Sequence, residues 1–170
     1  MILRCTKKLL TVIGPQQLAE CPPDGEDWYA NLLWLSGKKC LLITHAATLF
    51  TILEADVRAV HLRAPGLLVT GLISRELLCE GLPTDTFGNP APASVVLAKT
   101  ADRSILGCMN DMALMCEAVT TRSGGLAATD TADLNRALRR NINSARGYQP
   151  PIELTAQRLG PESASRGQAE

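Results

Sequence analysis

Between Trp28 and Leu35 the chain carries two interleaved apolar sets. Trp28, Ala30, Leu32 and Trp34 fall on one face of a strand, and Tyr29, Asn31, Leu33 and Leu35 on the other. Both faces are largely apolar, which predicts a strand covered on both sides rather than one with a solvated face. Ser36-Gly37-Lys38 predicts a turn, because Gly37 takes the positive φ of a tight hairpin without cost. Cys40–Thr44 is the returning strand. After a break at His45-Ala46-Ala47, Thr48–Leu53 carries the β-branched and aromatic residues of a third strand. A helix starting in Thr48–Glu54 is the rival, and the run is too short for periodicity to choose. The expectation is a three-strand antiparallel meander.

Around this centre, Ile2–Cys5 reads as a short strand and Lys7–Ile13 as a short helix or turn ended by Gly14-Pro15. Pro22-Pro23-Asp24-Gly25 marks a loop. Val57–Arg63 reads as a linker or short edge element. Pro65 suits the first turn of a helix that runs through Gly66–Cys79, with Gly81 as its C-cap and Pro83 as its stop. That helix is apolar almost all round, a pattern that predicts burial between layers. Ser94–Thr100 reads as a strand. In the helix after it, capped by Asp102 or Ser104, Ile105, Met109, Met112, Cys116 and Val119 recur in one core-facing stripe. Gly107, Asp111, Leu114 and Ala118 face the opposite way and lack the charge of a solvated face, so a second layer or a partner is expected there. Ser123-Gly124-Gly125 breaks the chain. A last helix, Ala132–Asn141, is capped by Asp130 or Thr131. The fold class expected is α+β: a small, mainly antiparallel sheet of N-terminal strand, central meander and later strand, packed by two to three helices. Residues 1–150 are one domain, and 151–170 are expected to form a disordered C-terminal tail.

Composition narrows the class without naming a chemistry. The 170 residues are 46% hydrophobic and 20% charged with a formal net charge of zero, an ordinary soluble profile. Any nucleic-acid or membrane claim must therefore rest on a local patch. No run is long and apolar enough for a membrane span. Basic residues lie inside the N-terminal apolar run, which argues against a signal peptide and for the cytoplasm. The six cysteines include no CxxC pair and only two histidines accompany them, so reduced core thiols are expected, with no metal site and no cofactor.

Three segments together resemble an uncharacterised bacterial family, a domain of unknown function. They are Arg4–Leu10 (RCTKKLL), Trp28–Phe50 with its WYANLLW start, and Lys99–Ala113, with RSILGCMND as the most distinctive piece; Leu134–Arg136 (LNR) is a weaker fourth. The resemblance covers roughly residues 1–150 and implies one compact cytoplasmic domain. It carries no reaction, ligand or catalytic residue. Where it leads one to expect a small serine-like residue, this chain has Cys108.

Candidate chemistry gathers at two places. Lys99 and Thr100 end a strand, and Arg103, Asn110 and Asp111 follow on the next helix, an arrangement suited to an anion; Asn31 and His45 are the meander's contributions. The plainer alternatives are a helix cap with a structural salt bridge at Arg103, an internally bonded Asn31, and a turn histidine. The basic residues Arg4, Lys7 and Lys8 with Arg136, Arg139, Arg140 and Arg146 would make a nucleic-acid patch if the terminal segments met, although few aromatics accompany them. No catalytic residue set is spaced for a mechanism. The leading expectation is a non-enzymatic binding or regulatory module that self-associates and contacts a protein partner. Nucleic-acid binding through the Arg136/Arg139/Arg140 patch is one alternative. An enzyme acting on a phosphorylated or nucleotide substrate at Lys99–Asp111 is the other.

Overall fold

The computed structural model describes residues 1–160. Its sheet has five strands in the order β4-β3-β2-β1-β5. The hairpin of β2 (Trp28–Leu35) and β3 (Lys38–His45) forms as the turn residues predict. Ser36 (φ 50°) and Gly37 (φ 75°) both take positive φ, giving a two-residue loop whose twist matches the strands, and Leu35 pairs with Lys38. The third meander strand, β4, covers Thr51–Glu54; the residues before it form the turn that brings the chain back. In that turn His45 N–H donates to Phe50 C=O, and Leu49 sits at φ 57°.

The sheet is mixed, which corrects the expectation of a mainly antiparallel one. β1 (Ile2–Cys5) lies parallel to β2 on one side and to β5 (Val96–Lys99) on the other. A parallel neighbour requires a crossover. The helix α1 (Lys7–Ile13) supplies it between β1 and β2, with Leu9 and Ile13 turned into the core.

Each sheet face carries its own apolar cluster. On the first, Leu3, Trp28, Leu32, Ile43 and Ile52 pack with Leu9 and Ile13 of α1, Leu62 of α2 (Ala59–Leu62) and Val69, Leu72 and Leu77 of α3 (Pro65–Cys79). On the second, Tyr29, Leu33, Leu42 and Leu53 pack with Ile105, Met109, Met112 and Cys116 of α4 (Arg103–Arg122) and with Leu134 and Leu138 of α5 (Thr131–Leu138). The doubly apolar pattern of β2 thus has its cause: helices cover both sides. The α4 stripe is the buried one, as the i, i+4, i+7 spacing requires.

Local capping follows side-chain chemistry. Asp102 accepts from Ser104 and Ile105 N–H, and Asp130 from Ala132 and Asp133 N–H. At the end of α3, Leu82 N–H donates to Leu77 C=O and Gly81 N–H to Leu78 C=O, with Gly81 at φ 71°.

The structure adds elements that the pattern left out. The segment read as a linker contains α2. The segment from residue 151, expected as tail, begins with the helix α6 (Pro151–Gln157), with Pro151 and Thr155 buried. It stays helical because Ile152 N–H donates to Arg139 C=O and Ile152 packs against the first apolar cluster. The remainder of the tail expectation, 161–170, lies outside the described residues. Among the described residues there are six helices, where two or three were expected, and none is long and apolar enough to cross a membrane.

Candidate functional site

The sequence-predicted anion site is not gathered into one pocket. Lys99 and Thr100 line an open cleft of about 420 Å³ with Arg4 and Cys21. Asn110 lines a different one, of about 400 Å³, with Lys8, Trp34 and Leu114. Arg103 and Asp111 are exposed and line neither. The α4 N-terminus is occupied by its own cap, Asp102. Asn31 is engaged internally: Thr6 Oγ1 donates to its Oδ1 at 3.0 Å, linking β2 to the start of α1.

His45 is fully buried at the end of β3. Its ring packs against Trp28 and Phe87, with centroids 5.1 and 4.4 Å away. Thr48 N–H points at Nδ1 at 3.4 Å, and Nε2 faces Glu26 Oε2 at 3.8 Å, beyond hydrogen-bonding distance. Burial pushes its pKa down to about 4, and the nearby Arg158 and Arg146 cations push the same way against Glu26. A base needs access to its substrate; this imidazole is a neutral part of the core.

The expected basic patch is not assembled, for a physical reason. Arg4 and Arg139 are 2% and 1% exposed. Arg4 Nε donates to Asp27, and its other nitrogens donate to the Lys99, Cys21 and Pro22 carbonyls. Burial would lower the Arg4 pKa, but the hydrogen bond and charge of Asp27 more than offset this and raise it. Arg139 reaches from α5 to α3, donating to Glu76 at 2.9 Å and Glu80 at 2.8 Å, over the face of Phe50. Arg140 donates to Glu80 at 2.7 Å and Arg136 pairs with Asp133. Burial alone would push the Glu80 carboxyl up, yet the Arg140 and Arg139 hydrogen bonds hold it low. Arg146 donates to the Ala46 and Ala47 carbonyls. Of the residues named for nucleic acid, only Lys7 and Lys8 are exposed with no ion pair among the described residues, and both sit on α1.

What the fold leaves open is a groove between α2 and α3. The inward residues Leu62, Val69, Leu72 and Leu77 anchor both helices to the sheet. The outward side of α3 is then Leu67, Gly71 and Leu78, with Leu67 67% and Leu78 65% exposed. Val60 of α2 is 61% exposed. Val60, Leu67 and Gly71, with Glu54, His61, Ala64, Leu68, Leu72 and Arg75, surround a cleft of about 560 Å³; Leu78 lies outside it. A Cβ at Gly71 would meet nothing within 4 Å, so the space over the groove floor is empty. Arg75 closes one end, donating to Glu54 at 2.7 Å and Glu76 at 3.0 Å. This contradicts the burial expected for an all-round apolar α3. The sequence signal was present in that pattern, but α2 is one turn long and shows no periodicity, so Val60 and His61 carried none.

The family model described as Domain of unknown function (DUF6933) matches residues 2–154. The chain belongs to this family. The match takes in every strand and the first five helices of the DUF6933 domain and ends within α6. It agrees with the uncharacterised family that the Arg4–Leu10, Trp28–Phe50 and Lys99–Ala113 segments resemble. No curated protein and no solved structure matches the DUF6933 chain. Among its described residues no group of three or more His, Cys, Asp or Glu side chains gathers as a metal site, and all six cysteines are free thiols. Burial pushes the Cys5 and Cys116 thiols up to about 12, which keeps them protonated.

Proposed function

We propose that this domain is a non-enzymatic binding module that docks a protein partner in the α2–α3 groove. One observation carries the reading: α3 is apolar almost all round, yet Leu67 and Gly71 in the groove face solvent, with Val60 of α2 opposite. Large apolar side chains grouped in a concavity are a recurrent mark of interaction sites, whereas single exposed ones are not. The alternatives have less support. Nucleic-acid binding needs the arginines that Glu76, Glu80 and Asp27 already hold. Phosphoryl or nucleotide chemistry needs Lys99, Arg103 and Asp111 in one concavity, and they do not share one.

Self-association is a second reading, favoured by Trp34 and Leu114, 55% and 63% exposed, which share the cleft beside the outward face of α4. A photo-crosslinking residue placed at Leu67 in cells tests the first reading, with Thr121 on the outer face of α4 as control. The expected result is a discrete adduct from position 67, lost with Val60→Glu, and none from position 121. An adduct of twice the chain mass that requires Trp34 supports the second reading. Equal, diffuse labelling from both positions sinks the first.

A further inference from the structure

The groove has charge as well as shape. Arg58 caps the start of α2 and Arg63 its end, both exposed, and neither forms an ion pair among the described residues. Arg58 donates to His61 Nε2 at 2.9 Å, which holds its guanidinium beside the α2 wall of the groove. The one carboxylate lining the groove, Glu54, is held by Arg75. Arg58 touches His61 of the groove lining and Arg63 directly precedes its Ala64, so two guanidinium groups without an ion pair among the described residues flank the apolar floor. Guanidinium is suited to bidentate carboxylate contacts. Apart from Glu54 of β4 the walls are side chains of α2, α3 and the turn between them, and the β4 edge beside Glu54 is already bonded, at Leu53, by Asn135, so an extended peptide has no free edge there to add to. From Ala64 to Arg75 the lined side of α3 is about 16 Å long at the α-helical rise, three turns of a helix laid along it.

We infer that the α2–α3 groove takes an amphipathic partner helix of about three turns whose apolar face carries leucine-like anchors and whose flank is acidic. The inference rests on the groove being the docking site, and it adds the partner's chemistry. The anchors fill the space over Gly71 between Leu67 and Val60. Glu or Asp side chains on the flank meet Arg58 and Arg63. A concave cleft favours a helix over a flat anionic lipid surface, which the same two arginines would also attract.

The test uses the full chain and a display library of three-turn helices. Leucines are fixed at i, i+4 and i+7, and the remaining positions are drawn from Glu, Lys and Ser. The expected result is at least a tenfold enrichment of Glu over Lys at flanking positions. It should reverse toward Lys with Arg58→Glu/Arg63→Glu and weaken as salt rises. Retention should disappear with Leu67→Glu. Retention that depends on Leu67 but shows no Glu preference overturns the acidic class and leaves the groove reading intact. Retention unaffected by Leu67→Glu overturns both. Failure of the library to be retained, or binding to phosphatidylglycerol vesicles that Arg58→Glu/Arg63→Glu abolishes while peptides are ignored, overturns the acidic helix as occupant.

Discussion

The two sides of α3 meet the rest of the molecule in opposite ways. Toward α5 the helix and its C-cap present Glu76 and Glu80, which take the buried Arg139 and, at the exposed margin, Arg140. Beside that cluster the outer edge of β4 is sealed: Asn135 Oδ1 accepts from Leu53 N–H at 2.7 Å and its Nδ2 donates to Leu53 C=O at 3.0 Å. One carboxamide thus imitates the missing strand neighbour, which protects an edge that would otherwise pair with another chain. Toward α2 the same helix presents Leu67 and Gly71 to solvent. The polar side is closed and the apolar side is open, the reverse of what composition alone suggests. Around α3 the polar groups are turned to internal fastening, and the groove left open is largely apolar.

The closed side should break most visibly. Arg139→Ala removes two charge-assisted hydrogen bonds and leaves the buried Glu76 with Arg75 alone and Glu80 with Arg140 alone, and the expected loss is about 3–5 kcal/mol in urea unfolding, at unchanged m-value. A loss below about 1 kcal/mol would mean that the cluster is not closed.

His45, also under cover, gives the next effect. Its pKa is about 4 in the fold against an ordinary 6.5, so between those values the unfolded chain holds a proton that the folded chain refuses. Its contribution is full above pH 6.5 and fades as pH falls to about 4, by about 3 kcal/mol. Unfolding curves of His45→Gln across that window should lack this slope; an unchanged slope would assign it to other groups. Asn135→Ala comes third, at about 2 kcal/mol, because both Leu53 backbone groups lose their partner. It should also increase concentration-dependent association through the bared β4 edge, read by light scattering. A variant that stays monomeric at high concentration would show that α5 shields the edge without the amide.

The local parts of this fold were legible in the sequence. Ser36-Gly37 specified the hairpin, Asp102 and Asp130 the helix starts, and the spacing from Ile105 to Cys116 the core face of α4. The rest depends on distant pairings. Nothing in Ile2–Cys5 says that its neighbours are parallel, because that follows from a crossover and from β5, whose Val96 pairs with Ile2. Arginines read as a patch turned inward because their carboxylates lie far along the chain, Asp27 for Arg4 and Glu76 and Glu80 for Arg139. The groove was half legible: the apolar excess of α3 was visible, and the expectation that another layer of the same chain covers it was wrong. Lys99 and Arg103 looked like one site because they are near in sequence, but a strand end and a helix face need not share a concavity.

The place of β1 in the sheet has a consequence for biosynthesis. It leaves the ribosome before the other four strands, yet it lies between β2 and β5, and its pairing with β5 requires Val96 to Lys99. At typical elongation rates that strand arrives on the order of 5–20 s later. Throughout that interval one edge of β1 is unpaired and the nascent sheet is incomplete. Folding of this chain is therefore timed by its fifth strand, and a pause in translation before Val96 would prolong the stage at which a chaperone has most to hold.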